Sequence, residues 1–241
     1  MYLANNSRPD IAFAVNQVAR YANNPRQCHE IAVKRIGRYL KGSLYTDSDG
    51  NEHTRGTIFK PPNRSEPLQV NLWADADFAG AWTLDEQRDP DTARSRTGYI
   101  VTLNDLPLIW SSRLQTEIST STAEAEYSSL ASGMRALIPL RHIFKEIATT
   151  FKIPSDRVSF ISHAFEDNQA ALYVATANPP RLTARNKHWN IKHHWFRSHL
   201  GHGKDCIKVL PIPSQDQRAD VFTKALTQML FEKFRKLLMG W

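Results

Sequence analysis

Apolar side chains recur at three- and four-residue intervals in two stretches near the amino terminus. The first covers residues 10–23 and the second residues 25–40, with Gly42 shortly after it. This spacing is typical of amphipathic helices, and a glycine commonly ends one. We therefore predict a helical hairpin at the start of the chain.

Shorter apolar runs separated by polar turns follow in the middle of the chain. They predict strands over residues 68–75, 97–103, 106–111 and 114–120, because runs of this length between turn residues are typical of β-structure. Only short turns separate the last three, so we expect an antiparallel meander.

A long helical pattern covers residues 123–148, for which we predict a cap at Thr122 and either a kink or a break at Pro139. After it come a strand at 158–162, a helix at 168–175, a strand at 206–212 and closing helices over 215–238. Strands that alternate with helices join a sheet in parallel through crossovers. The whole pattern predicts an α/β fold with a mixed sheet covered by helices.

Residues 43–67 are rich in Asp, Gly, Asn, Pro and Ser, which marks a domain boundary. We predict a helical segment at 1–43, a linker at 44–67 and the main domain at 68–241.

The composition adds few constraints. The 241 residues carry a formal charge of +7, which allows a polyanionic partner without requiring one. Cys28 and Cys206 are isolated in the sequence and lack metal-ligand spacing, so we expect a reducing compartment. We also expect neither a membrane-spanning helix nor a signal peptide.

Acidic residues supply the candidate chemistry. Asp75 and Asp77 end a predicted strand, and alternation sends both to one face. The fold can bring Glu126, Asp167 and Asp220 beside them. Carboxylates gathered in one place repel one another unless cations compensate, and divalent metal ions are the usual solution.

Taken singly, each of these carboxylates has an ordinary interpretation. Asp77 suits a turn, Glu124 suits solvent or a helix cap, and we expect Glu166 to be solvated. Other chemistries find little support: Ser121 and Thr122 have no suitably spaced His–Asp pair, and the nine histidines show no zinc-binding spacing. A glycine-rich phosphate loop is missing too.

Seven short motifs occur in a fixed order along the chain. They are Ala-Asp-Ala-Asp-Phe-Ala-Gly (74–80), Ser-Arg-Thr-Gly-Tyr (95–99), Ile-Trp-Ser-Ser (109–112), Ser-Thr-Ala-Glu-Ala-Glu-Tyr (121–127), Glu-Asp-Asn-Gln-Ala (166–170), Lys-His (187–188) and Ala-Asp-Val-Phe-Thr-Lys (219–224). Together they resemble the ribonuclease H region of copia-type retrotransposon polyproteins. The stretch from residue 8 to residue 42 resembles the end of the reverse transcriptase that precedes that region.

This resemblance implies an RNase H-like mixed five-stranded sheet flanked by helices, with the helical hairpin as an appendage left from the reverse transcriptase. It implies hydrolysis of the RNA strand of an RNA–DNA hybrid with two Mg²⁺ ions, Mn²⁺ being the alternative. The catalytic, metal-binding residues would be Asp75, Glu126, Asp167 and Asp220.

We predict nucleic-acid contacts at Arg96, Thr122, Asn168, Gln169, Arg185, Lys187 and His188. The aromatics Trp189, Trp195 and Phe196, which lie among these basic residues, are expected in the core. Where cellular relatives use a mobile histidine, His188, His199 and His202 are the candidates.

The partner is expected to be an RNA–DNA hybrid, with other nucleic acids as alternatives and no membrane. The polymerase motif Tyr-x-Asp-Asp is missing, so the chain should not make DNA. We expect either a monomer or a part of a larger polyprotein, in the cytoplasm, the nucleus or retroelement particles. The main alternative is a catalytically inactive fragment that at most binds nucleic acid; a transposase or integrase ranks lower.

Overall fold

The structure, a computed structural model, describes residues 1–46, 48–58, 66–82, 90–177, 187, 189 and 193–241. The helices named below are α1 (Tyr2–Asn6), α2 (Ala12–Ala19), α3 (Gln27–Gly42), α4 (Thr122–Thr150), α5 (Gln169–Thr176), α6 (Asp220–Thr223) and α7 (Gln228–Met239). The strands are β1 (Leu44–Thr46), β2 (Glu52–Thr54), β3 (Leu68–Asp77), β4 (Arg96–Leu103), β5 (Leu106–Leu114), β6 (Val158–Ser159), β7 (Ser162–Glu166) and β8 (Ile207–Pro211).

The chain forms two compact units. Unit 1 consists of Met1–Lys60 and Ala225–Trp241, and unit 2 of Pro61–Lys224. The predicted segments 1–43, 44–67 and 68–241 stay a prediction, since packing does not test the origin or role of a segment. Among the described residues, no helix has both the length and the apolar character needed to cross a bilayer.

Unit 2 is built on a mixed sheet with the strand order β5-β4-β3-β7-β8. Strands β3, β4 and β5 are antiparallel neighbours, whereas β7 and β8 add in parallel. The two-residue strand β6 also pairs with β3 in parallel, just ahead of β7. The predicted mixed sheet with five strand positions and flanking helices is therefore confirmed.

Some local predictions were wrong. Residues 115–120 are not a strand, because β5 already ends at Leu114 and the side chain of Gln115 donates to the carbonyl of Ala125 at 2.9 Å. The cap of α4 is Ser121, not Thr122. Helix α4 continues through Pro139, where burial of neighbouring apolar side chains outweighs the local propensity for a break; a kink there stays a prediction.

Helix α4 packs closely on β3 because Gly133 faces the strand. A Cβ added at Gly133 would lie 2.6 Å from Cδ1 of Leu72, so a larger residue would push the helix outward. The core between helix and sheet contains Leu72, Ala74 and Tyr127, all essentially fully buried. This packing sets the distance between the first turn of α4 and the end of β3.

Helix α6 packs against β4 at a second glycine, Gly98. A Cβ on Gly98 of β4 would lie 2.5 Å from Cγ2 of Thr223 and 2.9 Å from Cβ of Phe222. Gln217 fixes the same approach, since its Nε2 donates to the carbonyl of Ala74 at 2.9 Å. Together these contacts place α6 beside the carboxyl end of β3.

Unit 1 contains a buried ion pair. The Arg8 guanidinium donates to both oxygens of Asp10 at 2.9 and 2.7 Å, and the two side chains are 2% and 0% exposed. Tyr39 donates to Asp10 at 2.7 Å, and Arg8 also donates to Ser43 at 3.0 Å. The pair therefore ties α3 to the start of the chain.

The last residues of the chain complete unit 1. The indole of Trp241 donates to the carbonyl of Gly56 at 2.9 Å, and the guanidinium groups of Arg8, Arg55 and Arg235 lie 4.5 to 5.5 Å from its ring. Cation–π contacts of this kind stabilise partly buried arginines. Residues distant in sequence thus share one small core.

We predict that Gly98→Ala destabilises the protein by about 1–3 kcal/mol, the usual effect of overpacking a filled space. The added methyl group has to displace Thr223 and Phe222. Urea unfolding followed by circular dichroism measures the change. Gly203→Ala is the matched control, because no atom lies within 4 Å of the position of its added Cβ; equal losses in both variants would contradict this account of Gly98.

We also predict that Asp10→Asn lowers the free energy of unfolding by about 3–5 kcal/mol, because it leaves the buried Arg8 charge without its counter-ion. The exposed pair Lys34–Glu30, with side chains 65% and 62% exposed, provides the comparison. Glu30→Gln should change stability by no more than about 0.5 kcal/mol. Thermal melts of the two variants that shift alike would disprove a special role for the buried pair.

Candidate metal centre at the end of the sheet

Asp75 lies near the carboxyl end of β3 and is 2% exposed. Alternation along the strand places it on the same face as Trp73, which stacks on Phe165 of β7 at 4.8 Å between ring centroids. The hydroxyl of Thr223 donates to its Oδ2, and that of Ser129 donates to its backbone carbonyl at 2.6 Å. The carboxylate is thus held in one orientation.

Glu126 comes from the first turns of α4. Ser121 starts the helix by accepting a hydrogen bond from the Glu124 amide at 3.2 Å, and Glu124 in turn accepts from the Thr120 amide at 2.8 Å. Glu124 therefore belongs to the reciprocal cap of the helix and not to the carboxylate cluster. Glu126 instead accepts from the amide of Ala76 at 2.7 Å, one residue beyond Asp75.

Asp167 follows β7 directly. Asn168 caps α5 by accepting from the amides of Ala170 and Ala171, both at 3.0 Å, and this turn places Asp167 beside the end of β3. Oxygens of Asp75, Glu126 and Asp167 all lie within 4.8 Å of one another. Oδ1 of Asp167 is buried and has no hydrogen-bond partner among the described residues.

Asp220 opens α6 and joins the other carboxylates through a shared lysine. Nζ of Lys224 lies 2.8 Å from Oδ1 of Asp220 and 3.8 Å from Oδ2 of Asp75. Asp220 and Lys224 meet because residues four positions apart lie on the same side of a helical turn. The structure therefore gathers the four acidic residues singled out in the sequence, while their catalytic and metal-binding roles stay a prediction.

The predicted solvation of Glu166 was wrong. This side chain is 0% exposed. Burial alternates along β7, with Ser162, Ala164 and Glu166 on the covered face, so the last strand residue points inward. Its position at the end of a buried strand was the sequence signal that could have identified it.

Burial and mutual repulsion raise the carboxyl pKa values. Burial is the main cause for Asp75, whose pKa is raised although Lys224 and Thr223 act against the shift. The pKa values of Glu126 and Glu166 are raised well above the usual range by burial and neighbouring carboxylates. Burial and the charge of Asp75 raise the pKa of Asp220 to about 7. Near neutral pH the cluster therefore favours a proton or another cation.

The remaining candidates lie around this centre. Burial raises the pKa of Asp77, with Lys224 and Arg96 opposing the shift; Asp77 pairs across β3 and β4 with Arg96. Arg96 is 3% exposed and donates to Ser112 at 3.2 Å.

Thr122 is exposed at the start of α4, Asn168 caps α5, and Gln169 and Lys187 are exposed. Arg185 and His188 lie outside the described residues. The nucleic-acid contacts proposed for these side chains stay predictions.

Of the candidate histidines, His202 is exposed. His199 lines a cavity of about 380 Å³ together with Arg141 and Lys145, which belong to the second half of α4. The predicted core packing of aromatic residues is confirmed for Trp189 and Phe196, which are 5% and 0% exposed, whereas Trp195 is 37% exposed.

Four further side chains approach the site without having been predicted there: Thr223, Lys224, Ser129 and Gln217. Lys224 could have been identified from its spacing of four residues after Asp220 in a predicted helix. The others hydrogen-bond to the backbone or carboxylate of β3, and such contacts between distant segments leave no local pattern in the sequence.

The donor set fits a hard divalent cation. The clustered donors are carboxylate oxygens, which Mg²⁺, Mn²⁺ and Ca²⁺ prefer. Buried Oδ1 of Asp167 and Oε2 of Glu166 lack hydrogen-bond partners within the described ranges, and buried polar atoms of this kind call for an ion or water. Both observations point to the same place, the carboxyl end of β3.

Comparison with known proteins finds relatives among transposon polyproteins. No protein-family model matches the chain. It is 31% identical over 230 residues to the retrovirus-related Pol polyprotein from transposon RE2 of Arabidopsis thaliana, which covers 95% of the chain and 14% of that protein. It is also 31% identical over 238 residues to the corresponding polyprotein from transposon TNT 1-94 of Nicotiana tabacum, covering 99% of the chain and 15% of that protein.

The chain spans about one seventh of the length of these curated relatives. Among solved structures, the N-terminal RNase H domain of a Mycobacterium tuberculosis protein, fused to maltose-binding protein, is similar with 12% identity and a TM-score of 0.42. The similarity covers 70% of this chain and 97% of that one.

The raised carboxyl pKa values predict a pH-dependent effect of metal. The folded protein keeps a proton on Asp220 up to about pH 7, whereas the usual value is 3.8. The associated stability is complete below about pH 4 and is lost as the pH rises through about 7. We therefore expect the metal-free unfolding midpoint to fall over this range, and Mg²⁺ to restore more of it at pH 8 than at pH 5.

Urea titrations with either EDTA or Mg²⁺ at the two pH values measure this difference. Asp220→Asn should flatten the pH dependence of the metal-free protein, because it removes one of the shifted groups. An equal Mg²⁺ effect at pH 5 and pH 8 would contradict a cation site made of these carboxylates.

Proposed function

Because the chain belongs to the family of retrovirus-related Pol polyproteins of copia-type transposons, we propose that unit 2 is a nuclease of the RNase H type. Its substrate would be the RNA strand of an RNA–DNA hybrid. The observation that carries the proposal is the convergence of Asp75, Glu126 and Asp167, whose oxygens lie within 4.8 Å of one another. Asp220 adjoins them through Lys224.

Asp75, Glu126, Asp167 and Asp220 would hold two divalent ions, for which Mg²⁺ is preferred and Mn²⁺ is the alternative. Ions held by these four residues would supply Lewis-acid chemistry, which lowers the pKa of a bound water and offsets the charge on the leaving oxygen of an in-line displacement at phosphorus. Products with 5′-phosphate and 3′-hydroxyl ends would result.

The chain's own residues orient these ligands. Thr223 holds Oδ2 of Asp75, and the Ala76 amide holds Oε2 of Glu126. Both contacts come from regular elements that are packed against each other, and catalytic groups on such elements keep their geometry better than groups on loops. Lys224 offsets part of the carboxylate charge, since its Nζ lies 2.8 Å from Oδ1 of Asp220 and 3.8 Å from Oδ2 of Asp75.

In this proposal the hybrid lies along the starts of two helices. Thr122 begins α4 one helical turn before Glu126, and Asn168 and Gln169 follow Asp167 at the start of α5. Helix amino termini attract phosphate groups through unpaired amides and the helix dipole. Backbone phosphates on either side of the scissile bond would be bound there. As its relatives are far longer, we also propose that the chain acts as part of a larger polyprotein.

We predict that purified protein cleaves a labelled RNA–DNA hybrid in Mg²⁺, and that Asp75→Asn lowers the rate more than about 100-fold. Loss of an outer-shell partner in a metal site already costs 10–100-fold, and Asp75 is a direct ligand in this proposal. Gel analysis of the end-labelled RNA strand measures the rate.

Asp156→Asn is the matched control, because Asp156 is an exposed residue of unit 2. This variant should cleave the hybrid at the wild-type rate. If folded wild-type protein binds the hybrid but does not cut it with Mg²⁺ or Mn²⁺, the protein is a catalytically inactive fragment that binds nucleic acid. Cleavage that survives Asp75→Asn would place the active site elsewhere.

A further inference from the structure

Glu166 is a buried carboxylate to which the proposed four-ligand site gives no role. It is 0% exposed and ends β7, one residue before Asp167. Its oxygen Oε1 accepts a hydrogen bond from the amide of Asn168 at 3.1 Å. That bond closes the turn that carries Asp167 and starts α5.

The other oxygen of Glu166 is different. Oε2 is buried and has no hydrogen-bond partner among the residues that the structure describes. A buried carboxylate oxygen left without a donor is unfavourable unless an ion or a water satisfies it. A group that served only to hold the turn would not need a second oxygen here, and an amide would serve as well.

The strand register shows where this side chain lies. Phe165 of β7 pairs with Trp73 of β3, so Glu166 comes next along β7, at the carboxyl end of β3. Glu126 reaches the same end from α4, where it accepts from the amide of Ala76. Glu166 therefore adjoins the proposed cation site from the face of the sheet that α4 covers.

We propose that Glu166 is a fifth acidic residue of the cation site, in which Oε1 holds the Asp167 turn and Oε2 supplies a further oxygen to the divalent cation. This inference rests on the proposed function, because it assigns a residue to the same centre. It makes the carboxyl end of β7 contribute two consecutive side chains, Glu166 from the α4 face and Asp167 from the turn.

The substitution Glu166→Gln separates the two roles of this side chain. The glutamine carbonyl can still accept from the Asn168 amide, so the turn remains held, whereas the second oxygen and the negative charge are replaced by an NH₂ group. Glu146→Gln is the matched control, because Glu146 is an exposed residue of α4 in the same unit.

The measurement is the melting temperature, followed by circular dichroism, as MgCl₂ is titrated into the metal-free full-length protein at pH 8. We expect Glu166→Gln to melt at or above the wild-type temperature without metal, because repulsion is removed. Its Mg²⁺ midpoint should rise about 10–100-fold, while Glu146→Gln keeps the wild-type midpoint.

A Mg²⁺ midpoint of Glu166→Gln within about twofold of wild type overturns this inference. If Asp75→Asn still abolishes the Mg²⁺ response in that case, the metal centre itself stands without Glu166. If neither Mg²⁺ nor Mn²⁺ stabilises the wild-type protein, the metal centre and this inference both fail.

Glu166→Asp keeps the proposal testable if the glutamine variant does not fold. It retains the charge but withdraws both oxygens by one methylene, so the Mg²⁺ midpoint should again rise. An unchanged midpoint in the aspartate variant would overturn the role of Glu166.

Discussion

The carboxyl end of β3 concentrates negative charge where water is largely excluded. Asp75, Glu126 and Glu166 are each at most 5% exposed, and burial is the main cause of their raised pKa values. Carboxylates in such an environment repel one another and lose hydration at the same time. The surrounding structure counters this with Lys224 and with the hydroxyl and amide donors that approach β3, and a divalent cation would complete the compensation.

Close packing at two glycines determines whether these groups can meet. Gly133 lets α4 approach Leu72 of β3, and Gly98 lets α6 approach β4. The helices carry Glu126 and Asp220, while β3 and the turn after β7 carry Asp75 and Asp167. A methyl group at either glycine acts on core packing first, yet it would also move a carboxylate. Stability and site geometry in unit 2 therefore depend on the same contacts.

Local patterns predicted most of the sheet and the position of the acidic residues, because strand alternation and helical spacing are properties of neighbouring residues. These patterns failed where the end of a strand or the burial of a side chain depends on contacts with distant segments. Residues 115–120 were predicted to add a strand to the meander but follow the end of β5. Glu166 was predicted to be solvated, whereas the face of β7 that it shares with Ala164 is covered. The contact between Thr223 and Asp75 joins residues 148 positions apart.

Unit 1 is discontinuous in sequence, which no local pattern of neighbouring residues reveals. Its core joins Arg8, Asp10 and Tyr39 to Trp241, and residues 225–241 pack with the first 60. All five carboxylates of the candidate centre, together with Thr223 and Lys224, precede Ala225. The chain thus completes its candidate catalytic unit at Lys224, and residues 225–241 then complete unit 1.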